Sequence, residues 1–148
     1  MKAISLLFTI AVIFTACKTN KAQTAEASSD ELTLLLSDNY GGPEEEGIMV
    51  YRSAAELNKF LIQVNKTRKP GLTAPKIDFD KNMVIVYCAG ITNPGELNLK
   101  VKSEEEDYID FMVERPDPEG TIAVTAIVMP FYIYSIPNTE KEIRLASE

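Results

Sequence analysis

Short apolar runs separated by turn residues organise most of this chain, and their periods distinguish strands from a helix. Glu31 to Ser37, E-L-T-L-L-L-S, is an apolar run of strand length, and Asp38-Asn39-Tyr40-Gly41-Gly42-Pro43 follows it with dense turn chemistry. Gly47 to Arg52, G-I-M-V-Y-R, predicts a second strand and leads into S-A-A-E-L-N-K-F-L-I-Q-V-N-K. There the period changes. Leu57, Phe60, Leu61 and Val64 recur at helical spacing on one face, and Ser53 with Glu56 forms an S-x-x-E capping box, so a helix is predicted from Ser53 to Lys66. Burying each of those four side chains contributes about 1.5 to 3 kcal/mol before entropy is subtracted, which calls for a flat apolar partner such as a sheet.

Beyond the helix, Thr67 to Lys76 contains Pro70, Gly71 and Pro75 and reads as a loop. The basic residues Lys66, Arg68 and Lys69 at its start suit the negative end of the helix dipole. Met83 to Ala89, M-V-I-V-Y-C-A, is the most β-prone run after the N-terminal apolar stretch and predicts a central strand covered on both faces. Gly90 closes it, and Ile91 to Gly95 is a turn. Glu96 to Lys102 alternates cleanly, with Leu97, Leu99 and Val101 inward. After the acidic turn Ser103 to Asp107, Tyr108 to Glu114 returns as a further strand, in the pattern of a meander. Arg115 to Gly120 is a turn with two prolines, and Thr121 to Met129 is again strand-like. Pro130 interrupts the ladder, Phe131 to Pro137 continues in extended form, and Glu142 to Leu145 supplies a last short edge strand. The expected fold class is therefore α+β: a small antiparallel, sheet-rich sandwich or open barrel of about six to seven strands with one amphipathic helix packed on it.

One apolar run fits neither period. Leu6 to Cys17 follows a short positive region, Met1-Lys2, and ends in the small residues Thr15-Ala16 directly before a cysteine. This is the pattern of a bacterial lipoprotein signal: cleavage between Ala16 and Cys17, and acylation of Cys17. It is too short for a transmembrane span, which needs about 20 apolar residues. Residues 1–16 are then the signal peptide. Cys17 with the polar, aperiodic stretch up to Asp30 forms a lipidated flexible tether, and residues 31–148 form one globular domain. Lys18, standing where an inner-membrane retention signal would place Asp, points to the outer membrane.

Composition narrows the chemistry. A formal net charge of −7, one unit more negative once Lys2 leaves with the signal, argues against nucleic acid, because phosphate binding draws on clustered Lys and Arg. The chain holds no histidine, which removes Ser-His-Asp, Cys-His and most zinc arrangements. It also lacks the Gly-rich nucleotide loops and the nucleophile motifs. With Cys17 acylated, Cys88 has no disulfide partner and reads as a small buried hydrophobe. Asp78, Asp80 and Asn82 have the opening spacing of a calcium loop, but the sixth position is Met83 and the twelfth Ala89, so they read as turn formers. The acidic runs Glu44 to Glu46 and Glu104 to Asp107 fall in surface turns, where carboxylates stay solvated. No catalytic residue, metal or cofactor is expected.

Several landmarks together resemble the C-terminal domain of the protease complex subunit PrcB family. They are Tyr40-Gly41-Gly42, then Val50 with Ser53-Ala54-Ala55-Glu56-Leu57, and Ile77-Asp78-Phe79-Asp80-Lys81 leading into Met83-Val84-Ile85-Val86. Ala89-Gly90, Pro130-Phe131-Tyr132 and Ile136-Pro137 complete the set, spanning about Leu32 to Ile143. The turn after Gly90 departs from the family pattern, reading Asn93-Pro94-Gly95-Glu96. The resemblance implies a small sheet-rich domain without catalytic residues, an accessory part of a secreted or surface protease complex.

The expected function is thus that of a lipid-anchored, non-enzymatic binding or accessory module of the bacterial envelope. Its candidate partner contacts are Tyr40, Gly41, Gly42, Asn93, Pro94, Gly95, Phe131 and Tyr132, facing another envelope protein such as a protease. Two alternatives are a proteinase inhibitor acting through the same loops and a hydrolase built from converging carboxylates.

Overall fold

A computed structural model describes residues 32–93, 95, 97–115 and 126–146. Within them the chain forms β1 (Thr33–Asp38), β2 (Glu46–Tyr51), α1 (Ala54–Val64) continued by a single 3-10 turn (Asn65–Thr67), β3 (Asn82–Ala89), β4 (Asn98–Glu104), β5 (Tyr108–Glu114), β6 (Phe131–Pro137) and β7 (Glu142–Leu145). Four strands make one sheet in the order β1-β6-β3-β2, and three make a second in the order β4-β5-β7.

The period-2 alternation along β3 and β6 explains how these elements stack. Met83, Ile85, Tyr87 and Ala89 of β3, with Tyr132, Tyr134 and Ile136 of β6, face the second sheet, where Leu97, Leu99, Ile109 and Phe111 complete one core. The opposite faces carry Val84, Val86 and Cys88 of β3 and Phe131 and Ile133 of β6, which pack against Leu57, Phe60, Leu61 and Val64 of α1 in a second core. The described architecture is a three-layer stack of helix, four-stranded sheet and three-stranded sheet. It bears out the α+β reading, the amphipathic helix and the doubly covered central strand.

Local chemistry sets the helix start. Ser53 accepts the Glu56 N–H at 3.3 Å, its hydroxyl donates to Glu56 Oε2 at 3.0 Å, and that carboxylate also accepts the Arg52 N–H at 3.0 Å. The Arg52 N–H, with the Ser53 hydroxyl next, holds the Glu56 carboxyl below its usual range. Past the 3-10 turn, the segment Arg68 to Lys81 straps the helix-side core with Leu72, Ala74, Ile77 and Phe79. Asn65 fixes this strap: Nδ2 donates to the Leu72 carbonyl at 2.9 Å, and Oδ1 accepts the Leu72 N–H at 2.7 Å. At the far end of the strap, Asp78 Oδ1 accepts the Asp80 N–H at 3.2 Å, a turn-forming use of the first calcium-like acid.

Three sequence expectations are corrected. The sheets are not wholly antiparallel, since β7 pairs with β5 in parallel. The chain reaches β7 from β6 in the other sheet, so no hairpin constrains its direction. The expected meander is a single hairpin, β4–β5, because the chain next contributes β6 to the first sheet. The strand expected from Thr121 to Met129 has residues 121–125 outside the described set, and Ala126 to Met129 joins neither ladder. There Val128 makes only an isolated bridge with Thr92, and the Met129 N–H goes to the Asn39 carbonyl at 3.1 Å. The signal peptide, the tether, Ala16 and Cys17 also lie outside the described residues. No described helix is long and apolar enough to cross a membrane.

Candidate binding corner

The turn after β1, the turn after β3 and the segment before β6 meet at one end of the four-stranded sheet. Asp38 Oδ1 accepts the Tyr40 N–H at 2.8 Å, closing an Asx turn, while the Arg68 guanidinium pairs with Asp38 and donates to the Tyr40 carbonyl at 2.8 Å. The Asn39 carbonyl accepts the Met129 N–H at 3.1 Å, and the Gly42 N–H donates to the Met129 carbonyl at 3.0 Å. Thr92 and Val128 exchange two backbone hydrogen bonds of 3.0 and 2.9 Å, and the Ile91 N–H donates to the Glu44 carbonyl at 3.0 Å. These five bonds hold three separate stretches of chain in fixed relation.

Two glycines permit the close approach. Gly41 has φ +99°, and a Cβ there would lie 2.9 Å from Val64 Cγ1 of the helix. Gly90 has φ +68°, and a Cβ would lie 2.9 Å from both the Glu44 carbonyl oxygen and the Glu46 nitrogen. Both positions favour glycine by conformation and by space.

The Thr92–Val128 bridge also decides which side chains face out. Val128 is fully buried, so its neighbours Ile127 and Met129, and Asn93 and Ile91 opposite them, alternate to the outer side. Ile91 is 57% exposed, Ile127 74%, and Tyr40, on the adjoining turn, 55%. Half of the large apolar side chains exposed among the described residues therefore belong to this one corner.

Of the candidate contacts, Tyr40, Gly41, Asn93 and Gly95 are exposed here, Gly42 is half-buried against the Met129 carbonyl, and Pro94 lies outside the described residues. Phe131 and Tyr132 are corrected. They are 0% and 7% exposed, because β6 is an inner strand between β1 and β3 and both its faces are covered. Phe131 packs edge-on against Phe60 at 5.3 Å, and Tyr132 lies near-parallel to Tyr87 at 6.0 Å. The Tyr132 hydroxyl reaches the Gly95 carbonyl at 3.3 Å, so this aromatic pair supports the corner from inside. Sequence reasoning missed Ile91 and Ile127. An isoleucine directly after the strand-closing Gly90 was the available signal for the first, whereas the second was hidden in an apparently regular strand.

Beside the corner, a groove of about 320 Å³ opens between β1 and the start of β4, lined by Leu34, Ser37, Asn39, Leu97 and Asn98 and floored by Tyr132. Tyr134 closes the neighbouring part of that gap by accepting the Leu99 N–H at 3.1 Å. Cys88 is buried and free, and burial pushes its thiol up to about 12. Burial, then the hydrogen bond to Glu46 at 2.6 Å, raises the Tyr87 hydroxyl. No described Asp or Glu is buried, and no three described Cys, Asp or Glu side chains converge as metal ligands. No protein-family model, curated protein or solved structure matches the chain.

Proposed function

We propose that this chain is a non-catalytic accessory module of the bacterial envelope, tethered to the outer membrane by lipid on Cys17 and docking onto another envelope protein through the Tyr40–Ile91–Ile127 corner. The observation that carries the docking is that corner: three large apolar side chains left in water on backbone cross-tied by five hydrogen bonds. The tether rests on the Leu6 to Cys17 pattern with its polar linker, and the choice of a protease complex as the host rests on the PrcB-like landmarks.

The test uses the full chain in a bacterial host. The native form should fractionate with the outer membrane and incorporate labelled fatty acid, and Cys17→Ala, which also blocks cleavage after Ala16, should incorporate none. In-cell crosslinking should join the native form to one reproducible partner, and Ile127→Asp should abolish the crosslink without changing the thermal midpoint. Fatty-acid labelling that survives Cys17→Ala would refute the tether, and an unchanged crosslink in Ile127→Asp would refute the docking corner.

A further inference from the structure

The acidic run Glu44-Glu45-Glu46 has a place in this corner that its sequence does not reveal. Its backbone is seated on Gly90, with the Glu44 carbonyl accepting the Ile91 N–H, so the run borders the same patch that carries Ile91. Its members differ in their commitments. Glu46 accepts from the Tyr87 hydroxyl at 2.6 Å and pairs with Arg115 at 3.2 Å. Glu44 and Glu45 are exposed and have no ion-pair partner among the described residues. Arg68, the cation tied to the Tyr40 turn, is taken up by the Asp38 carboxylate and the Tyr40 carbonyl.

We infer that the corner recognises a basic segment with an apolar centre: Tyr40, Ile91 and Ile127 receive the apolar side chain, while Glu44 and Glu45 meet Lys or Arg beside it. The inference rests on the docking role proposed above and adds the chemistry of the partner. Unpaired carboxylates beside an apolar patch favour an occupant with the opposite charge next to its apolar side chain, and such rim charges act mainly on encounter rate and salt dependence. Other occupants fit less well. An anionic bilayer would be repelled by two uncommitted carboxylates, and a second copy would bring its own Glu44 and Glu45 to a two-fold contact between corners.

Panning the immobilised full chain against a random linear peptide library tests this directly. The selected peptides should carry Lys or Arg beside an aliphatic or aromatic residue. Their binding should weaken on the order of tenfold with Glu44→Lys combined with Glu45→Lys, and should also fall between about 0.05 and 0.5 M salt. Binding should be lost in Ile127→Asp, with unchanged circular dichroism and thermal midpoint confirming that each variant folds.

Peptides that need Ile127 but ignore the glutamate reversals would overturn the charge selection and leave the docking corner standing. Peptides indifferent to both changes, or no enrichment at all, would overturn the inference and count against the corner. Cosedimentation of the mature chain, begun at position 17 with Cys17→Ala, with phosphatidylglycerol vesicles, or its self-association by sedimentation velocity, would replace the basic segment with a bilayer or a second copy.

Discussion

Alkaline pH should unfold this protein in part through Cys88. The thiol lies in the helix-side core with Val84 and Val86, 1% exposed, and burial raises it from 9.0 to about 12. A raised folded-state value means that the thiol's contribution is complete below about pH 9 and is lost as the pH climbs towards 12, because only the unfolded chain ionises in that window. At about pH 11 the loss comes to roughly 2 to 3 kcal/mol, a sizeable part of the 5 to 15 kcal/mol that holds an ordinary domain together. Tyr51, Tyr87 and Tyr134 are also raised by burial and destabilise in the same direction above their ordinary range, so the cysteine must be isolated by difference. Urea denaturation of native chain and Cys88→Ala from about pH 8 to 11 supplies that difference. At pH 8 the variant should be less stable by about 1 kcal/mol through lost sulfur packing. As the pH rises, the native chain should lose stability faster by up to about 1.4 kcal/mol per unit, so that the two curves cross. Curves that stay parallel to pH 11 would refute a desolvated thiol and imply that water reaches Cys88 along the sheet.

Three further changes probe the supports of the fold and of the corner. Tyr134→Phe strips the Leu99 N–H of its acceptor in a buried place and should cost about 1 to 3 kcal/mol, read as a fall in thermal midpoint of roughly 4 °C per kcal/mol; no fall would mean that solvent takes over the amide. Asn65→Ala removes both bonds to Leu72 and should cost a similar 1 to 3 kcal/mol or so, with faster tryptic cleavage at Arg68 and Lys69 as the strap loosens. Gly90→Ala sets a Cβ against Glu44 and Glu46 at positive φ and should cost about 1 to 3 kcal/mol, with amide shifts confined to Glu44–Glu46 and Ile91–Asn93 in NMR spectra. Shifts spread evenly over the domain would contradict a local effect.

The elements that sequence alone located are those whose burial is decided by their own period. The a-face of α1 and the unbroken run Met83 to Ala89 each need a particular environment, a flat apolar partner for the helix and cover on both faces for the strand, and both have it. Pairing was less legible. Pro130 directly precedes β6 and Pro137 ends it, and Phe131 and Tyr132 beside that punctuation read as partner contacts; yet both prolines sit where the ladder tolerates a missing donor, and the Pro130 carbonyl accepts the Ala89 N–H at 3.0 Å. Nothing local distinguishes an inner strand bounded by prolines from an outer one. The parallel β5–β7 pair was equally hidden, since four residues of β7 carry no mark of direction. As for the site, Tyr40 and Asn93 could be chosen because turn residues are exposed, whereas Ile91 and Ile127 become visible only once the Thr92–Val128 bridge turns them outward.

That bridge also bears on how the corner would bind. An exposed isoleucine or tyrosine forgoes roughly 1.5 to 3 kcal/mol of burial, and a single one on a surface requires no explanation. Here three such side chains sit on turns whose backbones are cross-bonded at distances of 2.9 to 3.1 Å and whose two sharpest bends use positive-φ glycines fitted against the helix and the Glu44–Glu46 backbone. Floppy turns would have to be ordered when a partner arrives, and that cost would be subtracted from the affinity. A corner already tied at Asn39, Gly42, Ile91 and Thr92 leaves mainly side-chain rotamers to fix, so an apolar surface of modest size can yield useful affinity. By the same reasoning, changes beneath the patch, such as Gly90→Ala, should weaken binding without removing a single contacting side chain, because they return to the free state the disorder that the cross-bonds now exclude.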